Sequence, residues 1–211
     1  MVRNNKETGI TQTLAAFASN VNYEDLSPDV VDWAKYLCLD FAGVTLNGST
    51  TDSAKTVVKA LEDVGRSGPS AVIGTDKRVL PEYAALANGT AFHSIEMDDI
   101  NNEASLHPGV VAFPTALAMA DITQVSGKEF ISAVVAGYDV IVRLGRALKP
   151  AEHYGRGFHP TATIGTLAAS VACAHLLGLD AGGTGNALSI ATSLAAGSKG
   201  QLGTTTVHLH T

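Results

Sequence analysis

Apolar residues recur at three- and four-residue spacing along most of the chain, which is the pattern of amphipathic α-helices. The clearest helix begins at Ser27, a good N-cap, followed by Pro28 in the first turn, and it ends at Asn47 and Gly48. A short apolar run at 71–73 is the only candidate strand nearby. Further helical spacing covers residues 53–64, 81–91, 108–127, 128–148, 161–177 and 188–196. These segments predict about eight helices and an all-α fold, a helical bundle.

The composition is that of a globular chain. Of 211 residues, 45% are hydrophobic, 16% are charged and 21 are glycine, which indicates helices that approach one another closely. The net charge of −6, with no run of Lys or Arg, argues against nucleic acid binding. No stretch reaches the roughly 18 uninterrupted apolar residues of a membrane span. We expect one helical domain over residues 1–211, with neither nucleic acid nor membrane as a partner.

The cysteines and the N-terminal residues indicate in which cellular compartment the chain is expected. Cys38 and Cys173 lie in apolar segments without CxxC spacing, which is typical of buried, reduced thiols. Residues 1–12 are polar and lack the apolar core of a signal peptide. The expected location is the cytoplasm.

One short run, residues 93–109, concentrates acidic side chains in a chain with few charges. Four carboxylates so close together repel one another, and they resist burial unless a neighbour shares a proton or hydrogen-bonds them. The run is therefore either a solvated loop or a functional site. Its members are Glu96, Asp98, Asp99 and Glu103, with His93 and His107 at the ends.

Two other polar clusters accompany helix ends. Arg156 and His159 lie in a glycine-rich turn, and His208 and His210 lie near the C-terminus. Imidazoles titrate near neutral pH, so His107 and His159 suit proton transfer, and a nearby carboxylate can fix a ring tautomer. On spacing alone, each cluster is more typical of a solvated loop, a turn or a chain end.

Metal and nucleotide cofactors have little support in the motifs. The chain has no HExxH and no paired CxxC, and the glycines of 178–185 do not follow a predicted strand. We therefore expect no metal and no other cofactor. A metal-dependent enzyme that uses His93, Glu96 and His107 stays as a less favoured alternative.

Several segments, in order, resemble the MmgE/PrpD family of 2-methylcitrate dehydratases, cis-aconitate decarboxylases and iminodisuccinate epimerases. They are LCLDFAGVTLNGS, NGTAFHSIEMDD followed by LHPG, GYDVIVRLGRAL, GRGFHPTATIGTLAASVACAHLLGL and ALSIATSLAAGS. The resemblance covers nearly all of residues 8–198 and implies an all-helical domain. It also implies a cofactor-independent lyase or isomerase that dehydrates, decarboxylates or epimerises a small di- or tricarboxylic acid, commonly as a homodimer.

The resemblance implies roles for individual residues. The acidic motif maps onto Glu96, Asp98 and Asp99, the His-Pro-Gly motif onto His107, and the Gly-aromatic-His motif onto His159. The implied catalytic residues are His107, His159 and Glu96. Asp98 and Asp99 are implied substrate-binding residues, and Arg156 is expected to hold a substrate carboxylate.

The end of the chain departs from the family pattern. Relatives carry a lysine in a motif like TKxLHxG and continue into a second, α+β domain, whereas this chain reads GTTTVHLHT. Residues 199–211 are therefore expected to form a divergent tail, with the second domain absent. The alternative function is a truncated, non-catalytic helical interaction module that pairs with a companion chain.

Overall fold

The computed structural model describes residues 9–64 and 67–209. Within them, nine α-helices and one small two-stranded antiparallel sheet follow one another, which confirms the all-α prediction. The elements are α1 Ile10–Ser19, α2 Pro28–Gly48, α3 Asp52–Val64, β1 Ser67–Ala71, β2 Arg78–Val79, α4 Pro81–His93, α5 Gly109–Thr123, α6 Gly127–Ala147, α7 Pro150–Gly155, α8 Pro160–Leu176 and α9 Ala181–Leu194. Short 3₁₀ helices span Tyr23–Asp25, Lys199–Gln201 and Thr205–Leu209. None of these helices has the length and apolar content needed to cross a membrane.

Helix α5 forms the centre of the bundle. It is apolar on all sides, and α2, α4, α6 and α8 pack around it. Three aromatic rings lock its neighbours in place: Phe41 on α2 lies 5.1 Å from Phe92 on α4 and 5.5 Å from Phe113 on α5, between ring centroids. The end of α4 and the start of α5 are thus held by the core, and the loop between them is the acidic run.

A close contact between α2 and α4 also fixes the end of α4. A Cβ on Gly48 would lie 1.8 Å from the carbonyl oxygen of Ala91, so only glycine allows this approach. The hydroxyl of Ser94 donates to the carbonyl oxygens of Gly48 and Ala91. The residues that follow α4 therefore leave the helix in a defined direction.

Several elements differ from the prediction, and α1, α7 and β2 lie outside every predicted segment. Helix α1 has no strong start signal, and the strand lies at Ser67–Ala71 rather than 71–73. Helix α9 begins at Ala181 rather than at residue 188, inside a glycine-rich stretch, because Asp180 caps it by accepting from the N–H of Gly183 at 2.7 Å. Packing of α9 on α1 and α8 then outweighs the poor helix propensity of glycine.

The expected tail begins beside the start of α8. The N–H of His159 donates to the carbonyl of Gly197, and the N–H of Lys199 donates to that of Gly157. The 3₁₀ helix Thr205–Leu209 then packs on α4, with Val207 only 1% exposed. This segment brings the chain back to the acidic run; His210 lies outside the described residues.

Candidate active site

A buried carboxylate between two imidazoles forms the centre of the acidic run. The Asp98 side chain is 0% exposed, and its Oδ2 lies 2.9 Å from Nδ1 of His93 and 3.1 Å from Nδ1 of His107. His93, at the end of α4, is 2% exposed, and its ring centroid lies 4.8 Å from that of His107. His93 at the end of α4 thus forms one compact cluster with Asp98 and His107, which lie in the loop that follows.

The contacts to the two rings differ in geometry. Nδ1 of His93 approaches both Asp98 oxygens, at 3.1 and 2.9 Å, as a hydrogen bond. Nδ1 of His107 is equally near but is not aligned for a hydrogen bond, so we describe this contact as ionic. Because an ionised carboxylate only accepts, Nδ1 of His93 carries the hydrogen of its bond to Asp98, and a charged His107 carries hydrogen on both ring nitrogens.

The electrostatics keep Asp98 ionised and favour a charged His107. Burial opposes the charge of Asp98, but the contacts from His107 and His93 outweigh it and lower its pKa to about 2. Burial likewise disfavours a charged His107, yet the neighbouring Asp98 and Glu96 raise the pKa of that ring. The cluster can therefore hold a proton on His107 near neutral pH and release it to a ligand.

Glu96 lies at the open edge of this cluster. Its backbone adopts φ 52°, a left-handed conformation that is uncommon outside glycine. Its Oε1 lies 3.9 Å from Nε2 of His93 and 3.8 Å from Nε2 of His208. The strained turn thus places an exposed carboxylate beside two imidazoles.

Asp99 is tied into the fold. The hydroxyl of Tyr138 donates to its Oδ2 at 2.8 Å, and the N–H of Gly109, the first residue of α5, donates to the same oxygen at 3.3 Å. Burial raises the pKa of Asp99, and the charges of Asp98 and Asp40 act in the same direction. Asp99 therefore anchors the start of α5 directly behind His107, and its substrate-binding role stays a prediction.

The His-Pro motif of α8 lies next to the His-Pro motif of α5. The N–H of His107 donates to Oγ1 of Thr161, in the first turn of α8, at 3.1 Å. His159 is the N-cap residue of α8, is buried, and has its ring 6.1 Å from that of Tyr154. The structure thus brings the starts of the two helices together.

Arg156 lies outside the cluster. Its exposed guanidinium is 3.7 Å from Glu152 on α7. Its expected role as a substrate-binding residue therefore stays a prediction, without a contact to the cluster to support it.

The cluster also has the donor set of a divalent metal site. Ligand atoms of His93, Asp98 and His107 lie within 4.8 Å of one another, and two imidazoles with one carboxylate suit zinc and related ions. The metal alternative from the sequence named Glu96 in place of Asp98. Since Oδ2 of Asp98 already contacts both rings directly, the arrangement needs no ion to balance its charge.

Two residues of the cluster have a weak signal in the sequence. The sequence favours His93 only as a ligand in the metal alternative, although its spacing of five residues from Asp98 bridges a helix end and a tight turn. The position of His208 is typical of a chain-end residue, yet its ring centroid lies 5.7 Å from that of His93. No local signal marks His208, because only tertiary packing of the C-terminal segment brings it there.

Comparisons with known proteins agree with this arrangement of motifs. The family model of the MmgE/PrpD N-terminal domain matches residues 12–211. The chain is 33% identical over 198 residues to the cis-aconitate decarboxylase-like protein oryM of Aspergillus oryzae, covering 90% of this chain and 41% of that protein. It is 30% identical to the cis-aconitate decarboxylase of Aspergillus terreus (92% of this chain, 40% of that one) and 31% identical to that of Homo sapiens (95% and 43%). The chain spans about two fifths of the length of these relatives, and it belongs to the MmgE/PrpD family, as the N-terminal domain of that family.

Proposed function

We propose that this chain carries the proton-transfer site of a lyase that acts on a small di- or tricarboxylic acid, with decarboxylation of cis-aconitate as the first candidate reaction. The observation that carries the proposal is the buried Asp98 carboxylate held between His93 and His107. The relatives named as cis-aconitate decarboxylases support the reaction class.

His107 is the proposed acid. When a carboxylate leaves as carbon dioxide, the electrons of the broken C–C bond stay on the substrate, and the carbon that receives them must gain a proton. An imidazolium at His107 donates that proton from Nε2 and becomes neutral, while Nδ1–H stays with Asp98. Asp98 stabilises the charged ring before transfer and keeps its tautomer afterwards.

Dehydration and epimerisation, the other reactions of the family, also require removal of a proton beside a carboxylate. His159 is the base that the family resemblance implies, and its position at the start of α8, next to the Thr161 contact with His107, supports this role. Glu96, at the open edge of the site, is the proposed carboxylate that orients an imidazole.

The test is an NMR time course of the purified chain with cis-aconitate, citrate-like acids and aspartate-like acids. Turnover should fall about 100-fold or more in His107→Gln, because the variant keeps a polar side chain but cannot carry the proton. His175→Gln is the matched control, since His175 lies at the other end of α8 against the carbonyl of Ala18. A folded wild-type chain without turnover, or a fully active His107→Gln, would contradict the proposal.

The second candidate is a helical interaction module that pairs with a second copy of the chain. Its support is an exposed apolar face on α2, where Trp33 and Tyr36 are each 67% exposed and Leu39 is 71% exposed. Sedimentation of the wild-type chain should then show a dimer that Trp33→Ser dissociates. A monomer at all concentrations would contradict this candidate.

A further inference from the structure

The inference concerns His208, which the 3₁₀ helix Thr205–Leu209 brings onto α4. Val207 anchors this helix, and the His208 side chain remains 13% exposed, so the ring is neither free in solvent nor sealed in the core. It lies across the edge of the His93 ring, at an interplanar angle of 89°. The C-terminal segment thus contributes a third imidazole to the cluster.

Both nitrogens of the His208 ring face polar groups. Nδ1 lies 3.2 Å from the hydroxyl oxygen of Ser53, in the first turn of α3, and Nε2 lies 3.8 Å from Oε1 of Glu96. When Nδ1–H donates to Ser53, Nε2 is left as a proton acceptor with a carboxylate close by. The arrangement differs from that of His107, whose Nδ1 faces the carboxylate of Asp98, because in His208 the carboxylate of Glu96 faces Nε2.

The ring also lines a cavity of about 210 Å³ between α4, α5 and α8. Its walls include Thr90, Val111 and Gly165, which leave room for a small ligand. A molecule there contacts His208 directly. His208 lines this cavity and His107 does not. The two rings flank the same His93 ring, with centroids 5.7 and 4.8 Å from it, so an acid must extend from the cavity past the His93 ring to reach His107.

We propose that His208 is a second acid–base residue of the site, oriented by Ser53 and paired with Glu96, and that it contacts a small carboxylic acid bound in this cavity. This inference rests on the proposed function and adds His208, beside His159, as a second base for its proton abstraction. The C–H bond beside a carboxylate breaks, its electrons stay on the substrate as an enolate, and the proton goes to Nε2 of His208. The resulting imidazolium keeps Nδ1–H on Ser53 and is stabilised by Glu96; His107 supplies the returning proton.

The directions of the pKa shifts of His208 and His107 fit the roles of base and acid. Burial lowers the pKa of His208, and the nearby His93 ring acts in the same direction, against the opposing charges of Glu96 and Asp98. Those two carboxylates and His93 are the titratable groups that act on the ring. His208 is therefore neutral where His107 is charged, and environments that separate two pKa values in this way distinguish a base from an acid.

The first experiment follows the carbon-bound imidazole protons by NMR during titration with tricarballylate, an unreactive tricarboxylic acid. Signals of His208 and His107 should shift with one common midpoint, while the His175 signal stays in place. When the tricarboxylate binds, His208 takes up a proton on Nε2 and donates it to a ligand carboxylate, so His208→Gln should weaken binding about tenfold through the loss of this hydrogen bond. His175→Gln should bind as the wild type does.

The second experiment separates catalysis from structure. Where the wild type turns over an acid of the panel, His208→Gln should lower kcat more than it raises KM and should remove the acidic limb of the pH profile, because that limb reports deprotonation of the base. Ser53→Ala should move that limb without abolishing turnover.

The outcomes distinguish this inference from the proposed function. Turnover that depends on His107 but not on His208, with equal tricarballylate affinity, overturns the inference alone. Tricarballylate binding that depends on His208, without any turnover, supports the contact and overturns the proposed function. A wild-type chain that does not bind tricarballylate overturns both.

Discussion

At the scale of single residues, Asp98 decides the chemistry of the cluster, because it is fully buried and still charged. Its pKa of about 2 in the folded chain, against 3.8 unfolded, means that its stabilising effect is complete above 3.8 and is lost as the pH falls toward 2. Asp98→Asn should therefore lower the free energy of unfolding by about 2 kcal/mol near neutral pH. Urea unfolding across pH measures this. A deficit that stays constant through that acidic window would contradict the charge-based explanation.

The contact with Asp98 should also make the contribution of His107 to stability depend on pH, but in the opposite direction to that of Asp98. Its raised pKa means that its contribution to stability is complete below the unfolded value of 6.5 and is lost as the pH rises through the higher folded value. An NMR titration of the His107 ring should give a midpoint above 6.5, and Asp98→Asn should bring that midpoint down. If the midpoint does not move in the variant, Asp98 is not what holds the proton on His107.

At the scale of elements, the start of α5 is built so that Asp99 lies against it. A Cβ on Gly109 would lie 2.0 Å from Oδ1 of Asp99, so Gly109→Ala must displace this carboxylate and break its hydrogen bonds with the Gly109 N–H and Tyr138. The expected cost is about 2 kcal/mol. Gly127→Ala, at the start of α6, is the matched control, because its Cβ meets nothing within 4 Å and alanine favours the helix. Equal unfolding midpoints for the two variants would refute this role of Gly109.

The elements also show where sequence patterns succeed. Helix α2 was predictable because Ser27 caps it, Pro28 opens it and its apolar spacing is regular. Helix α9 was only half predicted, because its glycine-rich start is held by the Asp180 cap and by packing on α1. Local signals therefore identify an element well where propensity and packing agree, and poorly where packing overrides propensity.

At the scale of the whole molecule, the site is assembled from segments far apart in the sequence. The motifs could be read individually, and the family resemblance brought His107 and His159 forward. That these motifs meet in one site could not be predicted from the sequence. Their meeting depends on long-range contacts, such as that of the His107 N–H with Thr161 and that of His208 with Ser53, which span 54 and 155 residues. The same fold leaves Arg156 just after the end of α7, beside Glu152, although it is only three residues from His159.

The C-terminal 3₁₀ helix Thr205–Leu209 packs on α4, and the position of His208 in the site depends on this contact. Val207, 1% exposed, holds this segment on α4, whereas the adjacent Leu209 is 44% exposed. Val207→Ala should cost about 2 kcal/mol of local stability and speed amide hydrogen exchange in residues 204–209, because the lost methyl groups leave a cavity under the segment. The His208 ring signals should then move toward those of an exposed histidine, while Leu209→Ala leaves both observables unchanged. Unchanged exchange and unchanged His208 signals in Val207→Ala would show that another contact, such as that with Ser53, holds the segment in place.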